Sequence, residues 1–207
     1  MSRSRLPLFD AMKALGCLAI VFHHLAIYGP MSDIVHQGAP AIIDALDIYA
    51  KLAVQMFFVL AGFLVAMQLT PEGQAKPSGL GQSFALILKR YKRLVTPFLF
   101  AVACAILITA LVRPWFIHES LSAAPSLTQL FAHAFMLHDI LGYEALSAGV
   151  WFVAIDFQLF AITVLLTALM TRAAPAWKTL FPLVMIGLAA LSLFLINRFS
   201  EYEIYAP

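Results

Sequence analysis

The sequence predicts an all-α protein, a polytopic transmembrane helix bundle with five clear spans plus one short or re-entrant helix. Three observations carry that prediction. Hydrophobic residues make up 62% of the chain and charged residues 12%, about half the charge of an ordinary soluble domain. The apolar residues gather in runs close to the ~20 residues a helix needs to cross the hydrocarbon core. A single core in a chain of 207 residues could not bury so much apolar surface, so lipid is the natural solvent.

The first span covers residues 9–29. Arg3 and Arg5 precede it, as in a signal peptide, but Asp10 and Lys13 interrupt its start and His23 and His24 sit near its end. No small-x-small cleavage site comes before Tyr28-Gly29-Pro30, which favours an uncleaved helix. Residues 30–47 carry Asp33, Asp44 and Asp47 with no Lys or Arg, and read as an external loop. The second span, 48–69, contains Gly62, where a neighbouring helix could approach closely. Residues 70–83 are turn-rich. They lead to the basic run Lys89-Arg90-Tyr91-Lys92-Arg93 at the head of the third span, 94–116. Pro97 falls in that span's first turn or two, where proline costs least. The run 127–141 is too short for a clean span and carries His133, His138 and Asp139. Spans at 150–171 and 179–198 complete the set.

Charge orients the bundle. If 127–141 does not cross, one side holds Arg3, Arg5, Lys13, Lys76, Lys89, Arg90, Lys92, Arg93, Arg172 and Lys178, and the other holds Lys51, Arg113 and Arg198. That sorts ten against three, with the N-terminus cytoplasmic. If the run crosses, the count is nine against four. The expected location is the inner (plasma) membrane, multi-pass. A net charge of +2 argues against a nucleic-acid partner. Cys17 and Cys104 lie in apolar runs and suggest neither a disulfide framework nor a zinc site. His133 and His138, five apart, are poorly placed to share a metal on one helix face, so no metal site is expected.

Ionisable groups inside a span are costly and mark function. Lys13 and His24 are eleven positions apart, three turns plus about 20°, and share a face about 16 Å apart along the axis. Asp10, one turn before Lys13, can pair with it; otherwise Lys13 snorkels to the interface. Asp156 sits about two turns into its span with no Lys or Arg in the membrane-embedded part of that helix, so its partner must come from another one. Counting depth from opposite surfaces, His24 and Asp156 reach a similar level near the outer leaflet, which suggests a carboxylate orienting a catalytic histidine. Arg90 and Arg93, one turn apart, form either an interfacial anchor or a fork for the phosphates of a nucleotide-bearing donor.

In order along the chain, four stretches resemble acyltransferase family 3, the integral-membrane O-acyltransferases. Leu6 to Lys13 followed by His24 is similar to the family's opening helix. Met56-Phe57-Phe58-Val59-Leu60-Ala61-Gly62-Phe63-Leu64 looks like its second signature, with Ala61 for the usual serine. Lys89 to Pro97 resembles its basic motif. Trp151 to Asp156 resembles its Trp-x-x-x-x-acid motif, with aspartate for the usual glutamate.

The resemblance implies acyl transfer from a cytoplasmic acyl-CoA, acetyl-CoA in the commonest case, to a hydroxyl of a sugar, glycan or lipid-linked acceptor. It implies His24 as catalytic base, and the depth count above sets Asp156 beside it. Arg90 and Arg93 would hold the donor, Lys13 would stand where arginine is usual, and Trp151 would line the substrate site. No cofactor is implied beyond the donor substrate. The family's bundle has more spans than this chain, so 1–207 reads as a single membrane-embedded domain cut short at its C-terminus. A proton-coupled transporter or channel subunit using His24 and Asp156 as a relay is the alternative, although neither paired repeats nor broken midplane helices are evident. A bis-histidine haem carrier needs an equal-depth partner for His24, and only His133 or His138 could supply one.

Overall fold

The computed structural model describes residues 6–70, 79–116 and 121–172, together with Leu183, Ile186 and Gly187. The predicted span 179–198 lies outside the described residues apart from those three. Among the described residues there are seven helices and no strand. Four stretches are long and apolar enough to cross a membrane: 7–27, 40–69, 80–112 and 150–172.

Helix α1 (Pro7–Ile27) starts with proline at its first turn, where the missing N–H is no loss. The stretch expected to be an external loop is helical: α2 is Pro30–Gly38 and α3 is Pro40–Ala50. Both begin on a proline, so Pro30 and Pro40 start helices rather than break them. A single residue, Lys51, joins α3 to α4 (Leu52–Leu69), so the second span begins at residue 40 rather than 48.

Helix α5 (Leu80–Val112) runs 33 residues, about 50 Å. It begins fourteen residues before the expected start at 94, and this places the basic run and Pro97 in its interior. Pro97 therefore leaves the Arg93 carbonyl without its helical N–H donor. Helix α6 (Leu127–Ala134) is closed by a capping box of Ser126 and Gln129, and α7 (Val150–Arg172) follows.

Helix α7 packs antiparallel to α5. A Cβ on Gly79 would lie 3.8 Å from the Arg172 guanidinium, whereas Phe98 and Val102 pack with Val150 and Ala154. The C-terminal end of α5 and the N-terminal end of α7 thus lie on one side, and the segment between them enters and returns on that side. The Tyr91 hydroxyl donates to the Ala134 carbonyl at 2.7 Å, and Gln158 Nε2 donates to the Met136 carbonyl at 2.6 Å. Residues 127–141 are re-entrant, as one of the expected alternatives had it.

Helix α1 lies antiparallel to α4. Phe9 stacks on Phe63 at 5.1 Å, and His23 Nδ1 lies 3.2 Å from the Leu46 carbonyl near the other end. The close approach falls at Gly16, where a Cβ would meet Met56 Cε at 2.5 Å and Phe57 Cζ at 2.9 Å. Gly62, the expected contact, has nothing within 4 Å of its Cβ position. Phe152 of α7 packs against Phe58 at 4.7 Å, which brings α7 to the α1–α4 pair.

Candidate functional site

Two polar centres stand out, one at each level of the bundle. The first is His24, in the last turn of α1. Its ring meets Tyr28 edge-on at 5.5 Å and His23 at 5.6 Å. A Cβ on Gly149 would lie 3.8 Å from His24 Cε1, the carbon between the two ring nitrogens. Gly149 has φ 81°, a left-handed conformation that glycine adopts without strain. It turns the chain into α7 directly beside the imidazole. Among the described residues no hydrogen bond uses a His24 ring nitrogen, whereas His23 Nδ1 is close to the Leu46 carbonyl and 3.8 Å from Asp47. His24 is therefore a partly buried imidazole with its nitrogens available.

The second centre joins α5 to α7. Arg90 Nη2 donates to Asp156 Oδ2 at 2.6 Å, with the two side chains only 17% and 15% exposed. The guanidinium carbon lies 4.3 Å from the centre of the Phe160 ring, a cation–π contact. Arg90 Nε is buried and has no hydrogen-bond partner among the described residues.

This geometry corrects the expected pairing of His24 with Asp156. Among the described residues no ion pair joins them; Asp156 is taken by Arg90. His24 sits beside Gly149, and Asp156 lies seven residues further along α7, about 10 Å away along the axis. The depth argument failed because it started the third span at residue 94 and left Arg90 at the opposite surface. The longer α5 carries Arg90 inside the bundle and lets it meet the carboxylate, and the ion pair spares both charges the cost of isolation in a weakly polar setting.

The other candidates separate. Lys89, Lys92 and Arg93 are exposed. Arg93 is thus free of the ion pair that holds its neighbour one turn away. Lys13 is partly buried on α1, and the expected Asp10–Lys13 pair is not among the ion pairs of the described residues. Trp151 is partly buried and meets Phe152 edge-on at 6.3 Å. Cys17 and Cys104 are free thiols. Among the described residues no group of three metal-ligating side chains converges.

A family model described as an acyltransferase domain matches residues 7–206, nearly the whole chain. The chain belongs to acyltransferase family 3. It is a multi-pass protein of a membrane acyltransferase family, and its four motif stretches lie on α1, α4, α5 and the first turns of α7. No curated protein and no solved structure matches it.

Within this member of the family one feature was missed from sequence. His133 and His138 stack face to face at 4.0 Å and 12°. Their five-residue spacing assumed a continuous helix, but α6 ends at Ala134 and Met136 takes φ 56°, folding His138 back onto His133. The histidines themselves, inside an apolar run too short to span, were the available signal.

Proposed function

We propose that this family member transfers an acyl group, acetyl in the simplest case, from acyl-CoA to a hydroxyl of a sugar, glycan or lipid-linked acceptor, with His24 as general base. The observation that carries the reading is the His24 ring: partly buried at the mouth between Tyr28 and Gly149, with both nitrogens unclaimed among the described residues. A base must reach the proton it removes, and a nitrogen already bonded to the protein cannot.

In the proposed step, the imidazole nitrogen takes the proton of the acceptor hydroxyl as its oxygen attacks the thioester carbonyl. The carbon–sulfur bond breaks as the ester forms, and the departing thiolate receives the proton from the imidazolium. The exposed Arg93, Lys92 and Lys89 hold the donor phosphates by charge-assisted hydrogen bonds. Asp156 acts as a positioning residue that fixes Arg90 at the edge of this patch. Lys13 shares the His24 face of α1 about 16 Å away along the axis, and the donor's extended arm covers that interval. Trp151, at the start of α7, walls the acceptor side. The excess of Lys and Arg on the patch side makes it cytoplasmic, with His24 towards the outer leaflet of the plasma membrane.

The test is a membrane assay with labelled acetyl-CoA. Transfer of label to membrane or glycan acceptors is expected to fall at least ~100-fold in His24→Ala. Incorporation that survives that substitution at full rate overturns the mechanism.

A further inference from the structure

The stacked histidines of the re-entrant segment belong to neither polar centre. Both are fully buried, against a core of Phe98, Met136, Leu146 and Val150. His133 is committed at both nitrogens. Nε2 accepts from the Leu146 backbone N–H at 3.1 Å, so Nδ1 carries the proton and donates to the Gln129 carbonyl at 2.8 Å. That pattern fixes one neutral tautomer. His138 has no hydrogen bond at either ring nitrogen among the described residues. A buried N–H and lone pair without partners is an uncommon and unfavourable state. The nearest charge, Asp139 Oδ2, stands 3.5 Å from His138 Nε2, and its own side chain is 33% exposed. The turn that delivers His138 passes through Met136 at φ 56°, a left-handed conformation that strains an L side chain.

We propose that His138 is a proton-binding site that latches the re-entrant segment. With His138 neutral, the ring stays stacked on His133 and the segment from Phe135 to Leu146 stays docked. Protonation places a charge among apolar side chains, so the ring leaves the core toward Asp139 and water, and the strained turn relaxes. The groups that face it are His133 from α6, Asp139 from its own segment and Phe98 from α5, on which Val150 and Ala154 of α7 pack without bringing a charge. Among the described residues neither α5 nor α7 offers it an ion pair, and Arg90 and Asp156 neutralise each other.

Burial, and then the neighbouring His133, hold the His138 imidazole below its ordinary value, against the opposing pull of Asp139. Burial moves His133 the same way. Released histidine protonates near its ordinary value of about 6.5. Docking is therefore undiminished above that pH, weakens as pH falls through it, and stops changing below the lowered value of the docked form. Undocking also releases the Met136 carbonyl from Gln158, whose helix carries Asp156. The latch does not depend on the acyl-transfer reading.

Hydrogen exchange of the full chain in nanodiscs tests it, with rates divided by the intrinsic rate at each pH. The amides of Leu137, Tyr143 and Leu146, bonded to Ala132, His138 and His133, are expected to lose at least about tenfold protection between roughly pH 7.5 and 5.5. Amides of the α7 interior keep theirs. His138→Phe preserves a stacking ring that cannot take a proton, and its profile is expected to be flat. Should phenylalanine not be accommodated, His138→Gln carries the same expectation. A wild-type profile that is flat over this range, or a steep one that persists without an imidazole at 138, overturns the proposal.

Discussion

Arg90 and Asp156, 66 positions apart in sequence, meet at 2.6 Å between α5 and α7, with the guanidinium lying over the ring of Phe160. An ion pair this well shielded is asymmetric in its energetics. Removing one partner leaves the other charge unpaired, at a cost of about 3–5 kcal/mol, whereas replacing both with apolar side chains can be neutral. Asp156→Ala is therefore expected to lower thermal stability in detergent sharply, and the double variant Arg90→Met with Asp156→Leu to restore much of it. If Asp156 positions Arg90 for the donor, the double variant folds but shows a raised KM for acyl-CoA. A double variant that unfolds as readily as Asp156→Ala removes the ion-pair account.

Arg93 provides the contrast. It lies one turn from Arg90 and is exposed. Surface substitutions away from special features usually change stability by about 0.5 kcal/mol or less. Arg93→Ala is expected to leave the unfolding temperature unchanged while raising the donor KM several-fold, and added salt should weaken donor binding by the wild type more than by the variant. An unchanged KM at low ionic strength would mean that the exposed basic patch only anchors the helix.

The spans were legible because lipid demands continuous apolar runs, and each of the four described runs overlaps one of the observed apolar stretches over most of its length. Their starts were not. Pro30 and Pro40 looked like breakers, although proline is favoured in a first helical turn. Residues 80–93 mix charge with apolar side chains, so hydropathy ended the span at 94 while the backbone continued. That error left Arg90 outside the third span, whereas α5 carries it ten residues, about 15 Å, in from Leu80, and it sent Asp156 to the wrong partner. The sequence did hold the needed signal, since a carboxylate with no cation in the embedded part of its own helix requires one from a neighbour. Which neighbour depends on the axial offset of α5 against α7, and that offset is set by packing of Phe98 and Val102 on Val150 and Ala154. The His133–His138 stack was less legible still, because it turns on the backbone sign of the single residue Met136.

Gly149 and Gly142 separate strain from site geometry. Both have positive φ, 81° and 71°. A Cβ on Gly149 would touch His24 at 3.8 Å, whereas one on Gly142 meets nothing within 4 Å. Alanine at either position carries a left-handed penalty of about 1–2 kcal/mol. The two variants are expected to lose similar stability, but only Gly149→Ala should also lower kcat, because it shifts the turn beside the imidazole. Equal kcat in the two folded variants would detach the start of α7 from the chemistry.

Gly16 tests the placement of α1 itself, and hence of His24 two turns further along it. A Cβ there would come within 2.5 Å of Met56 Cε and 2.9 Å of Phe57 Cζ. The Met56 methyl is the end of a flexible side chain and can swing away. Phe57 has less freedom, since its ring also faces Phe152 at 6.0 Å. Alanine should therefore be partly absorbed, and valine should overpack the contact and cost about 1–3 kcal/mol. As α1 is pushed from α4, His24 moves relative to Gly149, so activity in Gly16→Val is expected to fall further than its loss of folded protein accounts for. Measuring transfer per folded molecule, with the folded fraction taken from size-exclusion profiles in detergent, separates the two effects. Full specific activity in Gly16→Val would show that His24 is held by the α2–α3 side, through His23, Leu46 and Asp47, rather than by the packing of α1 on α4.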